Sequence, residues 1–269
     1  MDAFISLFHV SPLTLAVLMS VSFVAAIIDA IAGGGGLLNV PALMLAGFNP
    51  VAAVATNKVQ GLFAVLSASR TYARAGLIDA RALLPAFIGA FVGSILGAIS
   101  AQVVPLGLVR TVVPGLLIAV ALFVAFSPKL SDAQSHQRLT PLAFAASFAA
   151  GIGFYDGIFG PGGGSFFFMA LVSMLGLGVT RAAANAKFLN IASNGGAFLL
   201  FALSGQIYWA LGLAQALASI AGARIGAGLA LRRGAALIKP LVVVVCLIMA
   251  VRLMLDPSHP VGAWLGFRP

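Results

Sequence analysis

The chain has 269 residues, of which 61% are hydrophobic and 8% charged, and its formal net charge is +9. A soluble domain cannot hide that much apolar side chain, so the composition points to an integral membrane protein with no stretch long enough for a second, water-soluble domain. The positive charge does not indicate nucleic-acid binding, because the basic residues sit mostly in short loops rather than in a basic run interleaved with aromatics.

Met1 to Pro12 lacks the positive leader of a cleaved signal peptide, and residues 13–32 read as the first membrane segment. Apolar runs follow at about 37–46, 51–69, 83–100, 109–126, 141–159, 165–177, 180–203, 207–230 and 238–255. The runs 37–46 and 165–177 are too short to span, since ten helical residues rise only about 15 Å against a hydrocarbon core of about 30 Å. Each follows a glycine cluster and is predicted to be a half-helix after a break. Unwound backbone at membrane depth is tolerated only inside protein or beside water.

The breaks form a repeat. Asp29-Ala30-Ile31-Ala32-Gly33-Gly34-Gly35-Gly36 aligns with Asp156-Gly157-Ile158-Phe159-Gly160-Pro161-Gly162-Gly163. Further on, Gly47 aligns with Gly176, Ala53 with Ala182, Ala55 with Ala184 and Lys58 with Lys187. Two interrupted apolar segments at matching places in two halves point to a transport site. The expectation is an all-α membrane fold of about eight transmembrane helices. It is a single domain over 1–269, with repeat one at 13–126, a polar cytoplasmic link at 127–140 and repeat two at 141–255. Arg70, Arg74 and Arg81 occupy one loop of the first half, whereas the corresponding loop 204–208 carries no Lys or Arg and the next carries Arg232, Arg233 and Lys239. If Lys and Arg mark the cytoplasm, the halves have inverted topology and both termini are periplasmic, with Arg110, Arg252 and Arg268 left on that side.

Five ionisable groups lie inside apolar runs: Asp29, Lys58, Asp156, Lys187 and Arg224. A charge at bilayer depth costs several kcal/mol, so such groups face a bundle interior or a wet cavity. The bland alternative is neutralisation within each half, Asp29 with Lys58 and Asp156 with Lys187. Polar neighbours surround both lysines: Thr56, Asn57 and Gln60, and Asn185, Asn190 and Asn194. They do not form one clean stripe, and amides also serve as hydrogen-bond glue between helices. A half-helix starting after Gly34, Gly35 and Gly36, or after Gly162, Gly163 and Gly164, points free N–H groups and the positive end of its dipole inward. With Asn39 and Ser165 as further donors, that is an anion-binding arrangement. Close packing explains the spaced glycines 89, 93 and 97, and 222, 226 and 228, but fits four in a row poorly.

Other chemistry finds no support. The glycine clusters lack the Gly-Lys-Ser/Thr ending of a phosphate loop. There is no glutamate, Cys246 is alone, and His9, His136 and His259 are scattered in terminal or linking segments. No metal, cofactor or enzymatic activity is expected.

In these residues the chain resembles the sulfite exporter TauE/SafE family of membrane permeases, in its YfcA-like branch. The carrying residues are the Asp29 and Asp156 glycine motifs, Pro41, Thr56-Asn57-Lys58, the stretch Asn185 to Asn194, and Gly222-Ala223-Arg224-Ile225-Gly226. The resemblance implies a bacterial inner-membrane permease of about eight helices in two related halves, moving sulfite, sulfonates or related organosulfur anions.

The combined expectation is a secondary transporter of a small anion. The substrate would be held by Gly34, Gly35, Gly36, Asn39, Asn57, Lys58, Gly162, Gly163, Gly164, Ser165, Asn185, Lys187, Asn190 and Arg224, with Asp29 and Asp156 as proton-coupling groups. The lipid bilayer is a further partner, and assembly into a homo-oligomer is left open. A passive anion channel and a non-transport membrane assembly factor are the alternatives.

Overall fold

The computed structural model describes residues 2–100, 118, 121–122, 125–126, 132–160 and 162–255. They are helical throughout, with loops between: α1 Asp2–Phe8, α2 Pro12–Ala32, α3 Gly36–Leu45, α4 Pro50–Arg74, α5 Leu84–Ser100, α6 Pro141–Ile158, α7 Gly163–Leu175, α8 Val179–Leu203, α9 Trp209–Arg233 and α10 Ala235–Met254. Five segments are long and apolar enough to cross a membrane: Phe4–Ala32, which takes in α2, and α4, α6, α8 and α9. The chain is thus an all-helical, multi-pass membrane protein. Most of the run 109–126 lies outside the described residues.

Local sequence sets the helix ends. α2, α4 and α6 each open with a polar cap followed by proline: Ser11-Pro12, Asn49-Pro50 and Thr140-Pro141. The cap oxygens accept from the amides of Thr14 (3.1 Å), Ala52 (2.9 Å) and Ala143 (3.2 Å). Proline loses no hydrogen bond there, because a first-turn amide has no helical partner. α6 differs from α2 in holding one wide π-type turn, Ala145–Ala149. The two breaks fall as the glycine clusters predict. α2 stops at Gly33 (φ +82°) and α7 starts after Gly162 (φ +90°), backbone regions that a β-carbon disfavours. The short elements α3 (10 residues) and α7 (13 residues) are the expected half-helices.

The halves interlock. α2 packs along α9 and its counterpart α6 along α5, while α4 and α8 each contact the other half. Glycines permit the close approach: a β-carbon on Gly93 or Gly97 of α5 would strike the carbonyls of Ala150 and Phe154 on α6. One on Gly222 or Gly226 of α9 would strike those of Phe23 and Ile27 on α2. By the repeat alignment these two contacts between the halves are equivalent. Gly226→Val is therefore expected to destabilise the protein by about 3 kcal/mol through overpacking. Gly228→Ala, which meets nothing within 4 Å, should be neutral or slightly stabilising. Thermal unfolding in detergent of the two variants checks this.

Two further hydrogen bonds share the symmetry. Thr56 Oγ1 accepts from the Tyr208 amide (3.2 Å), and Asn185 Oδ1, its counterpart, accepts from the Asp79 amide (3.2 Å). Each ties the start of α4 or α8 to the loop of the opposite half. The α8 start therefore lies at the same end of the molecule as the loop after α4, so α4 and α8 enter from opposite ends. Equivalent helices run in opposite directions, as inverted halves require.

That end also gathers the link. Asp132 accepts from the Thr180 amide at the α8 start (2.8 Å) and from Ala235 at the α9–α10 junction (3.5 Å). Partial burial pushes its carboxyl up, but the hydrogen bonds from Thr180 and Ala235 outweigh this and hold it below the ordinary carboxylate value. A lowered folded-state value means the contribution is complete above the unfolded-state pKa and is lost as pH falls through the folded one. Asp132→Asn should lower the melting temperature at neutral pH, and the gap to the parent should shrink as the buffer is acidified.

Candidate functional site

The two breaks meet inside the protein. Gly33 lies against the backbone of Gly164 and Ser165, leaving no room for a β-carbon, and Ser165 Oγ donates to the Ala32 carbonyl (2.8 Å). Around this crossing sit both buried lysines and both aspartates. Lys187 Nζ donates to Asp29 Oδ2 (3.0 Å). Lys58 Nζ donates to Asp156 Oδ2 (3.3 Å), to the Asp156 carbonyl (2.9 Å) and at 3.5 Å to Asn194 Oδ1. The ion pairs therefore form between halves, not within them as the neutralisation alternative supposed. The reason is the interlocked packing, in which each lysine helix reaches the break of the opposite half.

Four charges cancel, so the interior is neutral rather than the net cationic cradle that the sequence suggested. Both lysines and Asp156 are essentially inaccessible, whereas the Asp29 side chain is 20% exposed. Asp29 has a second bond: its Oδ1 accepts from the amide of Gly35 at the start of α3 (3.1 Å). The carboxylate thus bridges an ammonium and a helix N-terminus, both of which favour negative charge. Asp156 sits likewise against Gly163, whose β-carbon would fall 2.8 Å from Oδ1. Gly164 keeps the same freedom beside Lys187, where a β-carbon would come within 3.1 Å of Nζ.

Between the ion pairs lies a cavity of about 40 Å³, room for two or three waters. Of the predicted site residues, Asp29, Gly34, Gly35, Gly36, Asn57, Lys58, Asp156, Gly162, Gly164 and Asn190 line it. Lys187, Gly163 and Ser165 lie directly behind that wall, through the contacts above. Asn39 is one bond further back, its Nδ2 donating to Asn57 Oδ1 (3.1 Å). Gln60, Gly160 and Asn194 also line the cavity and were not among the predicted ligands. Lys187, Asn190 and Asn194 are spaced for a single helical face, which is the signal that would have found Asn194. Asn185 is two residues from Lys187 and so points elsewhere, to the Leu77 carbonyl (3.0 Å) and the Asp79 amide.

Arg224 also stands apart. Gly222 and Gly226 face α2, so the residue midway between them turns away, and Arg224 is exposed on the outer wall. It is not part of the cavity. Asn190 Oδ1 is buried without a hydrogen-bond partner, and Asn190 is 3% exposed, an acceptor left open at the cavity edge.

Behind one wall of the cavity, around Asn57 and Gln60, lies a buried polar network. Ser22 Oγ donates to Asn39 Oδ1 (2.7 Å), Gln60 Nε2 to Asn57 Oδ1 (2.7 Å), Ser219 Oγ to Gln60 Oε1 (2.6 Å) and Gln215 Nε2 to Ser22 Oγ (2.9 Å). The repeat alignment sets Ala149, Ala186, Leu189, Ala90 and Ala86 opposite Ser22, Asn57, Gln60, Ser219 and Gln215, and all five are buried. A polar network on one side of the crossing thus faces an apolar plug on the other. Among the described residues no cluster of His, Cys, Asp or Glu could hold a metal ion.

Residues 18–253 match the family described as sulfite exporter TauE/SafE. The chain is 44% identical over 252 residues to a "probable membrane transporter protein ORF9" of Sinorhizobium sp., covering 94% of this chain and 97% of that protein. It is 41% identical over 272 residues to the "probable membrane transporter protein YfcA" of Escherichia coli K12, covering 99% of each. A "probable membrane transporter protein" of Haemophilus influenzae is 41% identical over 242 residues, 90% of this chain and 95% of that one. No solved structure matches.

Proposed function

Because the chain belongs to the sulfite exporter TauE/SafE family, we propose that it is a secondary transporter of a small oxyanion, sulfite or a sulfonate, whose binding is coupled to protonation of Asp29. The observation that carries this reading is the carboxylate of Asp29 held by Lys187 and the Gly35 amide. Protonating Asp29 removes the internal anion and leaves an ammonium and a helix N-terminus without a counter-charge. An external oxyanion then satisfies both. Anion and proton are taken up as a pair, so neither the empty site nor the loaded one carries an uncompensated charge, which the low-dielectric interior demands. The cavity must widen to admit the anion, and rocking of the interlocked halves about the Gly33–Gly164 contact supplies that movement.

The orientation follows from charge. The link, Arg70, Arg74, Arg181, Arg232 and Arg233 share one end, while α1 and the loop 204–208 at the opposite end carry no Lys or Arg. In a bacterial inner membrane the basic end faces the cytoplasm and the N-terminus the periplasm. The buried polar network beside Ser22 and Gln215 then lies on the periplasmic side of the cavity, and the alanine side is the cytoplasmic seal.

The test is flux in proteoliposomes with sulfite, sulfoacetate or sulfate outside. Saturable uptake of a sulfur oxyanion, driven by an inward proton gradient, is expected. Uptake that ignores all three anions, or that never saturates, would contradict the carrier reading. Within the same assay, Asn190→Leu should raise KM about tenfold, the order expected for one lost hydrogen bond from the Asn190 Nδ2 donor, which lies beside Gly164, to a charged ligand.

A further inference from the structure

The outer wall carries a second feature, which the transport site does not use. Val59 of α4 lies against Gly212 of α9, and Ser67 Oγ donates to the Ile220 carbonyl (2.8 Å). The contacts advance in step, so the two helices run parallel and Arg224 lies level with Thr71. Arg70, Arg74 and Arg224 therefore rim one groove of about 260 Å³, whose floor continues over Phe63, Leu66 and Ile220. All six residues are exposed. The ion pairs among the described residues involve none of these arginines.

We propose that this groove binds one anionic phospholipid, with its phosphate between the three arginines and an acyl chain over Phe63, Leu66 and Ile220. Guanidinium groups match phosphate oxygens in pairs, and an anionic leaflet offers phosphate at that level continuously. The apolar floor selects a lipid over a free ion. A second copy of the chain is a poor occupant, because the protein has only six acidic residues. Asp29 and Asp156 are locked in interior ion pairs, and Asp79 and Asp132 are engaged by backbone amides.

The experiment uses the full chain in neutral detergent, with native mass spectrometry to count retained phosphatidylglycerol and thermal shift to measure its effect. Wild type is expected to hold one phosphatidylglycerol, and to melt higher with it than with phosphatidylcholine. The R70Q/R74Q/R224Q variant should need at least tenfold more phosphatidylglycerol for the same occupancy. R232Q/R233Q, with its substitutions outside the groove, should behave as wild type. Equal retention by the triple variant, equal binding of phosphatidylcholine, or the same stabilisation by inorganic phosphate or glycerol 3-phosphate would overturn the proposal. If the triple variant does not fold, R224Q alone carries the comparison with the same criteria.

Discussion

Lys58→Met should destabilise the protein by about 3–5 kcal/mol, whereas Lys58→Met combined with Asp156→Leu should recover most of that loss. The prediction follows from burial: neither side chain of this pair is more than 4% exposed. Removing the ammonium alone leaves a carboxylate with no counter-charge, and its desolvation is no longer offset. Removing both leaves an apolar contact of similar volume, which is often as stable as the pair it replaces. The cycle also tests the cross-half geometry. Lys58→Met with Asp29→Leu, the pairing expected within one half, should show no recovery, because Asp29 belongs to Lys187. Unfolding in detergent, followed by tryptophan fluorescence or melting temperature, reads all the variants on one scale.

The second large effect concerns Asp29. In the wild type, affinity for the transported anion should strengthen as pH falls, by up to about tenfold per unit, as expected when one proton is taken up with each anion. In Asp29→Asn the Lys187 ammonium and the Gly35 amide have no carboxylate to hold. Anion binding should then be tighter at neutral pH and nearly flat with pH. Transport should slow, since the anion no longer leaves when a proton does. Isothermal titration of the purified protein between pH 5 and pH 8, approximately the working range of membrane proteins in mild detergent, measures the slope. The Asp156→Asn variant is the contrast: Asp156 is 3% exposed and its lysine is also held by a backbone carbonyl, so the slope should survive there.

Much of this was legible in the chain. Gly33, Gly34, Gly160 and Gly162 mark the breaks because their positive φ favours glycine, and the contact between Gly33 and Gly164 leaves no room for a β-carbon. The runs after them were too short to span, and they are half-helices in the structure. Inverted halves followed from the loop arginines, because positive charge sorts to one face of a membrane. Which charge met which did not follow. Asp29 and Lys58 belong to one half and pair outside it, and no local pattern reports a contact made by interlocking.

Side-chain direction was the other gap. Asn185 lies in polar company and Arg224 inside an apolar run, but each is two helical positions from a residue that faces inward. Two positions are about 200° of rotation, enough to turn a side chain to the opposite wall. Asn194 was the converse, on the face of Lys187 and Asn190 although the sequence between them reads as apolar. The unequal polarity of the two approaches was latent in the repeat alignment. It gains meaning only once Ser22, Gln215 and Ser219 are seen against Asn39 and Gln60.

Proton movement during anion uptake tests the central claim most directly. Proteoliposomes carrying an internal pH dye are given the transported anion outside, with no imposed proton gradient and the membrane potential clamped by valinomycin. The account predicts acidification of the lumen that tracks anion entry in the wild type and disappears in Asp29→Asn. Anion entry at full rate with an unchanged internal pH, or acidification that persists in Asp29→Asn, would contradict it.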